Sequence, residues 1–225
     1  MKIRTLKLKN FMLFEETEIE WSKNINVICG ENSTGKTTLL KVMYSMLKPY
    51  SRGGQRHASK EIGEQHFVEK LQGVFRPDEM KIGRLVSRKR GSSRTDFSVV
   101  LDKGQKISIG FGNRQENHAD VEIEGKISSG VFDAIYIPTK EMISTTEHFS
   151  ALYEEYHIDF EEMYYDLAKL LDRPLSKGPN TNEQNEVLKK VYPKLCPDNL
   201  DICFLSLYRE EESQELKWET EGDRK

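Results

Sequence analysis

The chain has 225 residues, enough for one domain or one and a half and for a real core. Charged residues make up 32% and hydrophobic ones 36%, so much of the surface is solvated or serves partners, and a net charge of −3 supplies no overall basic excess to hold nucleic acid. Apolar runs are far shorter than the roughly 20 residues that span a bilayer, and the alternation of charged and apolar residues from Met1 to Lys7 is unlike a signal peptide. A cytoplasmic protein with no membrane partner is expected. The 3 cysteines, Cys29, Cys196 and Cys203, lack CxxC spacing, and the 5 histidines lack any HExxH pattern. Neither a disulfide framework, a zinc site nor a nuclease metal centre is indicated.

In chain order, Ile3, Leu6 and Leu8 alternate with Lys2, Arg4, Lys7 and Lys9 and predict a strand over 2–8. Residues 16–21 alternate again, with Thr17, Ile19 and Trp21 on one side, so the two read as an antiparallel pair around a turn at 10–14. Residues 25–29 (Ile-Asn-Val-Ile-Cys) are more apolar and read as a strand covered on both faces. Leu39, Leu40, Met43, Met46 and Leu47 mark one face of a helix stopped by Pro49. A polar loop follows, then a short helix carrying Phe67, Val68, Leu71, Val74 and Phe75. Stretches 82–87, 97–101, 107–111 and 121–123 predict an antiparallel meander, and 132–137 a further apolar strand ending at Pro138. Phe160, Met163, Tyr164, Leu167, Leu170 and Leu171 predict a helix opened by an Asp159/Glu162 capping box. A helix near 183–195 and a strand pair at 201–207 and 215–218 complete the reading.

Between the 25–29 stretch and the first helix stands Gly30-Glu31-Asn32-Ser33-Thr34-Gly35-Lys36-Thr37, a G-x-x-x-x-G-K-[ST] phosphate loop. Its glycines let the backbone approach a phosphate chain, its N–H groups point at the anion, and the following helix adds its positive end. Asn32, Ser33, Thr34, Gly35, Lys36, Thr37 and Thr38 are therefore expected to hold a nucleoside triphosphate, ATP above all. Lys36 would reach the β- and γ-phosphates and Thr37 would ligate Mg²⁺.

The first 48 residues resemble the N-terminus of ATP-binding-cassette ATPases of the SMC, RecF and OLD type. Lys9-Asn10-Phe11, the Phe14 to Ile19 stretch and residues 25–40 carry the likeness, which covers 132–171 less closely. Residues 136–144 resemble a segment of bacterial ATPases of this group, several of them from antiviral defence systems such as Septu. The resemblance implies an α/β P-loop NTPase of the ABC/SMC head type, here an N-terminal lobe with a mixed sheet, an antiparallel meander and a helical C-terminal part. It divides residues 1–225 into a strand pair, phosphate loop and first helix (1–48), a loop and short helix (49–80), a β-rich part (81–137) and a helical part ending in a strand pair (138–225).

In such a family the loop after Asn10 lies near the adenine, so Phe11 is either a base contact or a packing aromatic. The resemblance also implies an Asp-Glu pair after four apolar residues, a Ser-Gly signature and a later His, none of which occurs here. The family carries them farther along, so a C-terminal lobe is expected to be missing. Asp102 reads as a hairpin turn with Gly104. Thr139, Lys140 and Glu141 stand where the family places a Mg²⁺-orienting Gln, and Thr139 equally suits a helix cap.

Implied partners are a second head, making a homodimer or larger oligomer, an effector protein subunit, and DNA. Arg84, Arg88, Lys89, Arg90 and Arg94 crowd together beside Gly91. They are either a solvated hairpin tip or, through Arg88, Lys89 and Arg90, a sequence-tolerant phosphate-backbone contact, to which Arg52, Arg56 and Lys60 could add. The role expected is a nucleotide-driven switch in DNA maintenance or anti-phage defence. The alternative is a nucleotide-binding regulatory or scaffold subunit without turnover; a small kinase lacks a recognisable lid.

Overall fold

The computed structural model describes residues 2–51, 62–88, 90–129, 132–139, 148–156 and 158–172, and the backbone of two short strands beyond them. Strand β1 (Ile3–Phe11) turns Leu6, Leu8 and Phe11 inward, each no more than 2% exposed, and leaves Lys7 and Lys9 outside. The two-residue period of extended chain sorts Leu6 and Leu8 from Lys7 and Lys9, and Asn10 at φ 51° breaks the alternation just before Phe11. Strand β2 (Phe14–Glu20) pairs antiparallel with β1, Leu8 opposite Thr17, as the alternation predicted. Its outward Glu18 lies 2.8 Å from Lys7, an exposed pair worth a fraction of a kcal/mol, roughly.

On its other side β1 pairs with β3 (Arg94–Leu101), Leu6 against Val99 and Leu8 against Phe97. Strands β4 (Lys106–Gly112) and β5 (Asp120–Glu124) follow as hairpin neighbours, giving one antiparallel sheet in the order β2-β1-β3-β4-β5. Three of the four stretches predicted as a meander, 97–101, 107–111 and 121–123, therefore form consecutive antiparallel strands. The β3–β4 turn holds Gly104 at φ 85°, and Asp102 accepts the Lys2 amide at 3.2 Å, so Asp102 serves the hairpin. That hydrogen bond holds its carboxyl below the usual aspartate range.

Helices α1 (Lys36–Leu47) and α2 (Glu64–Phe75) cover the inner face of this sheet, with Leu39, Val42, Met46, Phe67, Val68 and Leu71 in the shared core. Leu40, predicted inward, is 43% exposed, and Val42 takes its place. Helix α3 (Phe149–Tyr156) and helix α4 (Glu162–Leu171) pack together through Phe149, Tyr165 and Ala168. By internal contacts the chain divides into two units, 1–172 and 173–225; in the second, β6 (Ser206–Arg209) pairs antiparallel with β7 (Leu216–Glu219), close to the predicted strand pair. The predicted helix at 183–195 lies outside the described residues.

Four sequence expectations are corrected. Residues 25–29 form no strand: Ile25 is 84% and Val27 79% exposed, and no described strand lies beside them. The same holds for 132–137, where Ile135 is 53% and Ile137 81% exposed. An apolar run becomes a strand only when a neighbour supplies hydrogen bonds, and local sequence does not show whether one does. Residues Ile82–Leu85 form a 3-10 turn that buries Ile82 and Leu85, and only Val86 bridges to Phe11. The capping box also fails: α4 begins at Glu162 behind Glu161, Asp159 pairs with Arg76, and Glu162 is buried against Lys70.

Candidate functional site

The loop at residues 30–35 leaves the exposed 25–29 segment and turns into α1. Ser33 at φ 65° and Gly35 at φ 90° are both left-handed, a geometry that brings successive backbone N–H groups to one side. Gly35 is the N-cap and offers no side chain, so the first N–H groups of α1 remain for an outside acceptor. No acidic residue stands in that first turn to compete with an anion.

Gly35 is required twice over. A Cβ there would lie 2.6 Å from the Phe14 ring and 3.1 Å from the Leu13 methyls, and left-handed backbone disfavours any side chain. The Met12–Leu13 connection between β1 and β2 is thus pressed against the loop. It is held from behind, since the Met12 amide donates to the Leu85 carbonyl at 2.7 Å and the Ser87 hydroxyl donates to the Met12 carbonyl at 2.6 Å. These bonds keep Met12 at φ 49°, a left-handed value costly for a side-chain-bearing residue.

Lys36 folds over the loop, its ammonium donating to the Gly30 carbonyl at 2.8 Å and to the Glu31 carbonyl. The Thr34 hydroxyl donates to Glu31 at 2.8 Å and closes the curve. Asn32, Ser33, Thr34 and Thr37 are exposed, and Thr38 is half-buried. The residue set fits a polyphosphate with a divalent cation: backbone donors, one ammonium, an exposed threonine hydroxyl and a helix N-terminus converge.

Phe11 is fully buried, edge-on to Phe75 at 5.5 Å and to Phe97 at 5.1 Å, so packing accounts for its position. Leu13 and Phe14 are the hairpin residues that reach the loop. Sequence reading gave them no role, because nothing local to them signals contact with Gly35. Thr139 is exposed, and its possible helix lies outside the described residues, as do Lys140 and Glu141. Two residues of the basic cluster are partly committed to carboxylates: Arg94 lies 2.9 Å from Asp96 and 2.7 Å from Asp120, and Arg84 lies 3.8 Å from Asp78. Arg88 and Arg90 are exposed; Lys89, Arg52, Arg56 and Lys60 lie outside the described residues.

Residues 1–191 match the family model described as AAA ATPase domain. The chain belongs to the AAA ATPase domain family. It is 41% identical over 147 residues to the DNA replication and repair protein RecF of Staphylococcus haemolyticus, an alignment covering 57% of this chain and 39% of that protein. It is 26% identical over 172 residues to the DNA double-strand break repair Rad50 ATPase of Sulfolobus acidocaldarius, covering 76% of this chain and 18% of that one. The likeness to SMC/RecF-type ATPases is thus shown, and this AAA ATPase domain spans about two fifths or less of these relatives' length.

Among solved structures, an SMC ATPase studied for ATP-driven dimerization aligns over 84% of this chain and 97% of its own, at 14% identity and a TM-score of 0.36. The RecF–ATP structure aligns over 95% of this chain and 62% of its own, at 14% identity and a TM-score of 0.35.

Proposed function

We propose that this chain binds ATP with Mg²⁺ at residues 30–38 and acts as the nucleotide-binding lobe of a dimerising switch in DNA maintenance. The observation that carries the reading is the left-handed Ser33 and Gly35 backbone leading into an α1 N-terminus with no side-chain cap, with Lys36 folded over the loop. Asn32 to Thr38 hold the phosphates, with Lys36 on the β- and γ-groups. Thr37 supplies a hydroxyl to Mg²⁺, which neutralises charge on the triphosphate. The base falls on the side of the Met12–Leu13 turn, with Phe11 supporting that turn from the core.

The DNA-maintenance role is supported by the RecF and Rad50 relatives, both described as repair proteins. An anti-phage role rests on residues 136–144 alone. Pairing with a second head, an effector subunit and a cytoplasmic setting follow from the family resemblance. A second reading is a nucleotide-binding regulatory or scaffold subunit that binds without turnover.

The test is labelled ATP with Mg²⁺ on the purified chain, scoring binding, turnover and oligomeric mass together. Binding is expected. Turnover by the chain alone overturns the second reading, turnover gained only with a partner chain favours the first, and absence of binding overturns both. For DNA, neutralising Arg88, Lys89 and Arg90 together should weaken binding and reduce the slope of log affinity against log salt by about one unit per lost phosphate contact. An unchanged slope, or no DNA affinity in the parent chain, makes the cluster a solvated tip.

A further inference from the structure

Helix α1 has a second face, away from the sheet core. Lys41 and Tyr44 lie along it with Lys48 at its C-cap, at i, i+3 and i+7 spacing, and all three reach α4 or its N-cap residue. The Lys41 ammonium pairs with Glu161, the residue that caps α4. The Tyr44 hydroxyl donates to Asp166, and the Lys48 ammonium lies 4.0 Å from the same carboxylate. From α2, Lys70 joins in, donating to Glu162 at 2.8 Å and to Asp166 at 3.1 Å. Three lysines thus face three carboxylates, and most of them are out of water: the Lys70 side chain is 6% and the Glu162 side chain 1% exposed.

Both donors keep their protons. Burial first, then the Asp166 charge, push the Tyr44 hydroxyl far above the usual tyrosine range. For Lys70 burial pulls downward, but the Glu162 and Asp166 carboxylates outweigh it and hold the ammonium above the usual lysine range.

Net stability does not account for such a network, because replacing buried ion pairs with apolar residues is often neutral or stabilising by about 1–4 kcal/mol. What directional bonds add is register. An axial shift of the helix by about 1.5 Å breaks a directional hydrogen bond outright, whereas non-directional apolar contacts lose only part of their packing. Helix α1 opens directly out of the phosphate loop, so its axial position is also the position of the loop's donors. Tyr44 additionally packs edge-on against Tyr136 at 5.8 Å, which ties the 132–139 segment to the same point.

We propose that the Asp166-centred network on α4 is a register clamp for α1, and that Tyr44 and Asp166 are positioning residues for the nucleotide held by the loop. The nucleotide part rests on the ATP reading above; the clamp itself does not.

The experiment measures amide hydrogen exchange and ATP affinity in Tyr44→Phe, which keeps the ring against Tyr136 and removes only the bond to Asp166. Exchange at residues 39–44 of α1 should quicken by about fivefold, with β1 amides at Leu6 and Leu8 unchanged, and ATP affinity should fall by about the same factor. A second variant, Tyr44→Phe with Lys48→Met, Lys70→Met, Glu162→Leu and Asp166→Leu, removes Asp166 and Glu162 together with the partners named above, and should keep its melting temperature yet still lose affinity. Exchange that rises equally in α1 and β1 makes the network a general stabiliser and overturns the clamp, as do unchanged α1 exchange or full affinity in the apolar variant. If the parent chain binds no ATP, the functional reading falls, and the exchange comparison still decides the clamp.

Discussion

Lys36→Ala is expected to abolish nucleotide binding while leaving the fold intact. The ammonium is the only side-chain cation within the 30–38 loop, and a hydrogen bond from a charged donor contributes about 1.5–3 kcal/mol. Two such bonds to phosphate oxygens make the loss at least ~100-fold in affinity. The structural cost is small. The side chain's bonds to the Gly30 and Glu31 carbonyls involve exposed residues, which water can satisfy instead. Equilibrium binding of labelled ATP and a thermal melt on the same preparation separate the two effects. Unchanged affinity would remove the phosphate-loop assignment, and a collapsed melting temperature would make lost binding uninformative.

Gly73→Ala is expected to destabilise the protein by about 2–4 kcal/mol, against what helix propensity says. Gly73 lies within α2, where alanine is favoured over glycine by about 1 kcal/mol, so a reader of the sequence would predict a gain. The structure reverses the sign. A Cβ at that position would lie 2.8 Å from the Glu162 carboxyl carbon and 2.9 Å from its Cβ, with one carboxylate oxygen closer still. Glu162 has no inexpensive retreat: its side chain is 1% exposed, and moving it away from Lys70 leaves a buried ammonium short of a partner. Breaking a buried pair costs about 3–5 kcal/mol, which exceeds the propensity gain. Chemical denaturation of the two proteins measures the difference. A stabilised Gly73→Ala variant would mean that α4 shifts readily, and would count against the clamp as well.

Much of this molecule is local, and local features were legible in the sequence. The phosphate loop is defined by residue types at fixed spacing, because close backbone approach needs glycine and a triphosphate needs N–H donors and an ammonium. The alternation in β1 to β5 and the apolar faces of α1, α2 and α4 follow from side-chain periods of two and 3.6, which the residues themselves carry. Other features depended on residues far apart in the chain. Whether 25–29 and 132–137 become strands depends on a hydrogen-bonding neighbour, and their apolar composition is silent about that. Glu162 looked like half of a capping box until α2 was seen to set Lys70 beside it. Leu13 and Phe14 had no visible role until the β1–β2 turn came to rest on Gly35. By itself the sequence determined the phosphate-loop motif and the inward and outward faces of most elements, since those depend on residue type and spacing. Tertiary structure alone decided what stands beside the loop and what holds α1 in place, because pairing over long sequence distances is settled only when the chain closes on itself.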